Sequence, residues 1–225
     1  MKFIALDLSL GHLIMVYGDR NNLYYQKCIP LPKDRAGILF TNLEKMISEL
    51  KIDLESIDML FSTVGPGNFN GIRISLSLIK GLAIAKNIKI AGLSSLELMS
   101  RSFVNKNQQN ICTIIKASPD FYYLQIFDEF YRSVEEAKLI NINEKIKFPF
   151  LDSQLIIVGN DSKNIAKTIK YKGNYLNLSS STPEGLYLLV KDTIKNNNYL
   201  DANPKYLREV NAVEPSLWKR KPIVN

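Results

Sequence analysis

The pattern of apolar and polar positions divides the chain into two similar halves. In the first half, alternating apolar residues predict three antiparallel strands between Lys2 and Ile29. An amphipathic pattern then predicts a helix over residues 35–50. A strand from Met59 to Val64, a glycine turn, a helix from Asn70 to Lys86 and a further short strand follow, which together form a βαβ unit.

The same order of elements returns after the polar stretch at residues 105–110. The predicted elements of this second half are strands at 111–117, 121–127, 130–140, 155–158 and 175–178 and helices at 162–171 and 183–195. Duplicated βββαβα units are typical of the ribonuclease-H-like architecture. The predicted fold is therefore α/β, a duplicated ribonuclease-H-like fold of two lobes with mixed sheets.

The halves set the predicted domain boundaries. We expect an N-terminal lobe over residues 1–104, a degenerate C-terminal lobe over 105–203 and a tail over 204–225, because the tail has few apolar residues with which to build a core.

The helix from Asn70 to Lys86 carries more apolar surface than one stripe requires. At about 100° per residue, one stripe suits packing on a sheet: Ile72, Leu76, Ile79 and Ala83. A second arc consists of small and apolar residues: Gly71, Ile74, Ser75, Leu78, Gly81, Leu82 and Ala85. Either the chain's own helices cover this second arc or another protein does.

Composition limits the function classes. No run of 18 or more apolar residues occurs, so no membrane span is expected. His12 is the single histidine, which excludes a His-x-x-x-His zinc site. Cys28 and Cys112 lie in apolar strand-like stretches and are predicted to be buried thiols in a reducing compartment, so we expect a cytoplasmic location. The net charge of +7 permits contact with nucleic acid without showing it, since the lysines are scattered.

The glycine loop before the long helix is a candidate phosphate cradle. Gly65-Pro66-Gly67 predicts a type II turn, and Asn68 and Asn70 are both suitable helix N-caps. Backbone N–H groups at a helix N-terminus favour anions. However, Ile72 and Arg73 stand where a Walker A motif needs Lys and Ser or Thr, and the glycines are spaced one residue too far apart for a dinucleotide fingerprint.

A second candidate lies at the end of the first strand. Asp7 and Ser9 could hold a phosphate through a divalent metal, or Asp7 could simply cap a turn. An ATPase of this kind needs acids in both halves, and the matching place in the second half carries Lys116. We therefore predict at most a vestigial phosphate loop, with no bound metal, no nucleotide cofactor and no ATP hydrolysis by this chain.

Several stretches resemble the TsaB (YeaZ) family of tRNA threonylcarbamoyladenosine biosynthesis. The loop and helix start GPGNFNGIRI, which includes Gly65, Pro66, Gly67, Phe69, Gly71 and Arg73, resembles the family signature GPGSFTGxRIG. Residues 6–9 resemble the family's opening I-D-T-S, residues 81–83 and 92–96 its G-L-A…G-V-S-S-L, and residues 204–208 its P-x-Y-L-R. The chain departs from the pattern at Asn68, Asn70 and Lys116, where the family usually has Ser, Thr and Asp.

This resemblance implies a two-lobed actin-like fold and a non-catalytic scaffold or activator role. TsaB-like proteins pair with TsaD, a related protein that carries the metal site, and a small ATPase, TsaE, joins the pair. The complex uses ATP and transfers threonylcarbamoyl to the adenosine next to the anticodon of tRNAs that read codons starting with A. The second arc, represented by Gly71, Ser75, Leu78, Gly81, Leu82 and Ala85, would then face TsaD with Leu39 and Leu43 of the preceding helix alongside. The apolar arc also makes a homodimer plausible when TsaD is absent.

Two other functions stay open. The superfamily has carried a glycoprotease label, so a metal-dependent peptidase is one alternative, although no second histidine supports it. The other alternative is a stand-alone tRNA-binding module that uses Lys219, Arg220 and Lys221 in the tail.

Overall fold

The structure is a computed structural model that describes residues 1–31, 34–144, 146, 150 and 152–205. Its ten strands form two five-stranded mixed sheets. The first sheet contains β1 (Lys2–Asp7), β2 (His12–Asp19), β3 (Leu23–Pro30), β4 (Met59–Gly65) and β5 (Lys89–Ser94). The second contains β6 (Asn110–Lys116), β7 (Phe121–Phe127), β8 (Lys138–Asn141), β9 (Leu155–Gly159) and β10 (Asn174–Asn177).

The two sheets share one topology. The first has the order β3-β2-β1-β4-β5 and the second the equivalent order β8-β7-β6-β9-β10. In each sheet the first three strands in sequence are antiparallel neighbours, and the last two run parallel to the first. The predicted duplication of a ribonuclease-H-like unit is confirmed.

Within the described residues, five α-helices cover the sheets: α1 (Arg35–Glu49), α2 (Phe69–Lys86), α3 (Ser95–Ser100), α4 (Ser162–Thr168) and α5 (Pro183–Asn196). Four of them begin at a side chain that accepts a hydrogen bond from a backbone N–H in the first turn, namely at Asp34, Asn68, Ser94 and Thr182. Asn68 is therefore the N-cap of α2, whereas Asn70, the other residue predicted for this role, lies inside the helix.

Strand alternation decides which helix packs on which face of the first sheet. In β1, Ile4 and Leu6 belong to the cluster under α1 and α2, while Phe3 and Ala5 belong to the cluster under α5. The first sheet is thus buried on both faces, and α5 returns from the end of the described chain to complete this core.

Helix α3 joins the two halves. Leu96 and Met99 on α3 pack against Ile111, Ile115 and Phe127 of the second sheet. The opposite face of that sheet is covered by α4 through Ile165. A cleft beside α3 therefore has walls from both halves, with Glu97 on one side and Gln125 and Ser133 on the other.

Three local predictions were wrong. Residues 130–137 are not part of a strand, because the Asp128 carboxylate accepts the N–H groups of Phe130 and Arg132 and folds this segment into a loop before β8. Gly67 has φ of 154°, whereas a type II turn needs about 80° at its third residue, so the turn is not of type II. Cys112 is buried as predicted, but Cys28 lies on the exposed side of the edge strand β3.

Candidate functional site

The glycine loop after β4 is positioned by the first turn of the chain. The Asn68 N–H donates to the Ser9 carbonyl oxygen at 2.6 Å. Gly67 has φ of 154°, and a Cβ built there would stand 2.3 Å from the same carbonyl oxygen. Any side chain at this position would push the loop away from Ser9, which is why the motif needs glycine here.

The start of α2 packs closely against the turn that follows β1 and against β4. A Cβ on Gly71 would lie 2.0 Å from the Leu8 carbonyl oxygen. One turn later, the buried Ser62 hydroxyl donates to the Ser75 hydroxyl at 2.8 Å, and Ser75 donates to the Ile72 carbonyl at 3.1 Å. These small residues therefore pack α2 onto its own sheet.

This packing divides the predicted partner surface in two. Five of its residues are buried within the chain: Leu39, Leu43, Gly71, Ser75 and Leu78. The chain's own core therefore covers Gly71, Ser75 and Leu78 of the second arc, together with Leu39 and Leu43 on α1. Gly81 and Ala85 are exposed and Leu82 is partly buried, so these three are the accessible part of the predicted surface.

Apart from the motif residue Phe69, two exposed apolar residues on the same helices were not among the predicted partner residues. Ile84 on α2 is 85% exposed, and Phe40 on α1 is 58% exposed. The sequence contained a signal for Ile84, because this isoleucine interrupts the polar side of α2 formed by Arg73, Ser77 and Lys80.

The remaining motif residues, Phe69 and Arg73, lie at the N-terminal end of α2. The Arg73 guanidinium carbon stands 3.7 Å from the centroid of the Phe69 ring. Beside them, Arg35 of α1 donates to the Asn68 side-chain oxygen. The N-termini of α1 and α2 thus form the walls of an open hollow of about 670 Å³ that includes Asp34, Arg35, Asn68 and Arg73.

Asp7 and Ser9, the predicted vestigial phosphate loop, are deeply buried. One Asp7 carboxylate oxygen accepts from the Ser9 N–H at 2.8 Å and from the Thr63 hydroxyl at 2.6 Å. The other oxygen and the Ser9 hydroxyl have no hydrogen-bond partner within the described ranges. Burial raises the pKa of Asp7, while the bonds from Ser9 and Thr63 act in the opposite direction.

A cleft of about 300 Å³ separates this turn from the second half, with Ser9, Gly11, Lys116 and Asn160 among its lining residues. Lys116 stands at the end of β6, where its amino group donates to Asp161 at 2.7 Å and its N–H donates to the Asn160 side chain at 2.9 Å. The hydrogen bond to Asp161 raises the pKa of Lys116. The cleft therefore contains a lysine already paired with an acid of its own lobe.

The described part of the chain holds no group of three His, Cys, Asp or Glu residues placed to bind a metal ion. None of its helices is both long enough and apolar enough to cross a membrane.

Comparison with known proteins identifies the family. A family model described as "TsaD: tRNA N6-adenosine threonylcarbamoyltransferase" matches residues 34–181, which is more than half of the chain. The chain belongs to this family. Within it, the chain is of the TsaB (YeaZ) type, and the resemblance carried by the GPGNFNGIRI motif is confirmed.

Curated relatives carry the TsaB name. The "tRNA threonylcarbamoyladenosine biosynthesis protein TsaB" of Buchnera aphidicola subsp. Schizaphis graminum is 25% identical over 171 residues, which are 73% of this chain and 80% of the relative. The protein of the same name from Escherichia coli is 26% identical over 109 residues, 48% of this chain and 46% of the relative.

Solved structures show the fold. YeaZ from Pseudomonas aeruginosa superimposes with a TM-score of 0.80 at 19% identity and covers 92% of this chain and 99% of its own. A second structure, described as an uncharacterised Pseudomonas aeruginosa protein with similarity to peptidase YEAZ, gives a TM-score of 0.81 with the same identity and coverage. The chain has the predicted duplicated, two-lobed actin-like fold.

Proposed function

We propose that this TsaB-type chain is a non-catalytic scaffold or activator subunit in tRNA threonylcarbamoyladenosine biosynthesis. In this proposal it pairs in the cytoplasm with a TsaD-like protein, and a TsaE-like ATPase joins the pair. The family match and the TsaB name of the curated relatives support the pathway. The observation that supports the scaffold role is an exposed face of small and apolar residues on α2.

That face, here called the α2 outer face, consists of Ser77, Gly81, Ile84 and Ala85. These four exposed residues lie within an arc of roughly 100° on the side of α2 away from the sheet. Burial of a fully exposed isoleucine side chain stabilises a complex by about 1.5–3 kcal/mol, and glycine and alanine beside it permit close approach of another helix. The face therefore suits a helix from a partner protein.

The interlobe cleft supports a role without catalysis. The position that needs an acid for a metal-dependent ATPase is held by Lys116, whose amino group is bonded to Asp161. In this proposal the TsaD-like partner holds the metal and the ATP-dependent chemistry belongs to the complex, while the present chain contributes a surface.

The test measures pairing with the TsaD-like protein of the same organism by size exclusion and by titration. Ile84→Glu places a charge in the centre of the α2 outer face, and we expect it to weaken the complex by about tenfold or more. Leu188→Glu is the matched control, because Leu188 is a half-exposed apolar residue on α5, a different helix.

The outcomes separate cleanly. Loss of pairing in Ile84→Glu but not in Leu188→Glu, with both variants folded, supports the assignment. Undiminished pairing of Ile84→Glu would place the interface elsewhere, and absence of any complex with the unmodified chain would overturn the scaffold proposal. The same columns show whether the chain alone forms a homodimer and whether the TsaD-like protein replaces it.

A further inference from the structure

The second lobe presents a strongly basic surface that the scaffold role does not use. This α4 basic surface consists of Lys163, Lys167, Lys170, Lys172 and Tyr175, all of them exposed. The first two lysines lie on α4, the next two follow directly after it, and the tyrosine lies on the neighbouring strand β10.

The two lysines on α4 lie on one face of the helix. Lys163 and Lys167 are four residues apart, a spacing that makes their side chains neighbours on the helix surface, and Lys170 and Lys172 follow beyond the end of the helix. With a rise of about 1.5 Å per residue, Lys163 and Lys167 stand about 6 Å apart along the axis. These two lysines, followed by the two beyond the helix end, form the basic row of this surface.

This row is not neutralised by its surroundings. None of the four lysines forms an ion pair with an acidic residue in the described ranges. Asp161, the acid at the start of α4, accepts instead from Lys116 and Tyr122. Asp152 accepts the backbone N–H of Lys172 at 3.2 Å, and within the described ranges it forms no ion pair with the ammonium group of that lysine.

The strand register places Tyr175 beside the lysines. Tyr175 pairs with Ile157, and Ile157 packs in the same cluster as Ile165 of α4. The next residue, Leu176, packs with the cluster on the opposite face of the sheet. The Tyr175 ring, 47% exposed, therefore stands on the α4 side of the edge strand.

We propose that the α4 basic surface binds an RNA strand directly, with the lysines on successive phosphates and a base stacked on Tyr175. A row of unpaired cations tracks a sugar–phosphate backbone, and an exposed aromatic ring beside the row provides a platform on which any base can stack. An acidic protein would use the lysines but would have no need of the ring.

This assignment deepens the proposed function, because it gives the scaffold its own contact with the tRNA that the complex modifies. It is independent of the α2 outer face, which lies on the first lobe. Its test therefore uses RNA binding rather than partner pairing, so either proposal can fail without the other.

The experiment titrates the full chain with an unmodified, fluorescently labelled tRNA transcript at several salt concentrations. Lys163→Gln with Lys167→Gln removes two charges from the row. Lys89→Gln with Lys195→Gln is the matched control, because it removes two exposed lysines from β5 and α5 on the first lobe and its covering helix. Tyr175→Ala tests stacking separately.

A plot of log affinity against log salt concentration has a negative slope. We expect the variant without Lys163 and Lys167 to make this slope shallower by about 1.4, and the control to leave it unchanged. Tyr175→Ala should weaken binding by about tenfold without changing the slope. Equal losses in the two lysine variants would mean a general polyelectrolyte effect and would overturn the proposal. Full affinity in Tyr175→Ala would overturn the stacking contact and with it the assignment of RNA over other polyanions.

Discussion

Asp7 is the acid of the predicted phosphate loop, yet it stands in a buried setting that does not suit the binding of a phosphate through a metal. Its carboxylate is 1% exposed and is shared between the Ser9 N–H and the Thr63 hydroxyl. These bonds tie the end of β1 to β4 and so fix the turn on which the glycine loop rests. In this chain the residue thus supports the shape of the motif loop.

The raised pKa of Asp7 gives a pH-dependent prediction. Because burial raises the folded-state pKa above its value of 3.8 in the unfolded chain, the unfolded state releases this proton first and the native state loses stability as pH rises. Asp7→Asn removes that loss. We expect the unfolding free energy of the variant, relative to the unmodified chain, to increase with pH from about 3.8 up to the raised pKa and then to level off. Chemical unfolding across this pH range measures it, and parallel curves would contradict it.

At the scale of an element, α2 combines two kinds of glycine. Gly71 is held against the Leu8 backbone, whereas a Cβ on Gly81 would meet nothing within 4 Å. The same residue type therefore has opposite effects on stability at two places ten residues apart in one helix.

We expect Gly71→Ala to destabilise the chain by about 1–3 kcal/mol or more, because the added methyl overlaps a backbone oxygen that cannot move freely. Gly81→Ala should stabilise the chain by about 1 kcal/mol through its higher helix propensity. Denaturant unfolding of the two variants under identical conditions measures both. A neutral Gly71→Ala would show that α2 can shift away from β1, contrary to the packing described above.

The helix also shows what the sequence could and could not predict. Apolar periodicity located α2 and its sheet-facing stripe, because a 3.6-residue repeat depends only on local geometry. It could not reveal that Gly71 and Ser75 contact Leu8 and Ser62, because those contacts depend on how distant segments are placed. The strand predicted over residues 130–137 was wrong for a related reason. The Asp128 carboxylate accepts the N–H groups of Phe130 and Arg132 and forms a loop, which the apolar pattern of this segment does not show.

At the scale of the whole molecule, Arg101 connects three parts of the chain. The residue follows α3, and its guanidinium donates to Asp192 of α5 at 2.8 and 3.2 Å. It also lies 5.2 Å from the ring centroid of Tyr131, in the loop before β8 of the second sheet. The side chain is almost fully buried, so this contact holds the second lobe against the helix that completes the first.

We expect Arg101→Ala to lower the unfolding free energy by about 1–3 kcal/mol, because charged hydrogen bonds at a nearly buried site are lost and Asp192 remains without its partner. Arg132→Ala is the matched control: the Arg132 side chain is 74% exposed, so its ion pair with Asp128 should be worth about 0–1 kcal/mol. Hydrogen exchange at α5 and at residues 128–137 locates the effect. If Arg101 fixes the angle between the lobes, both regions exchange faster in Arg101→Ala; if only α5 responds, the arginine anchors that helix alone and the lobes are held together by the apolar contacts of α3.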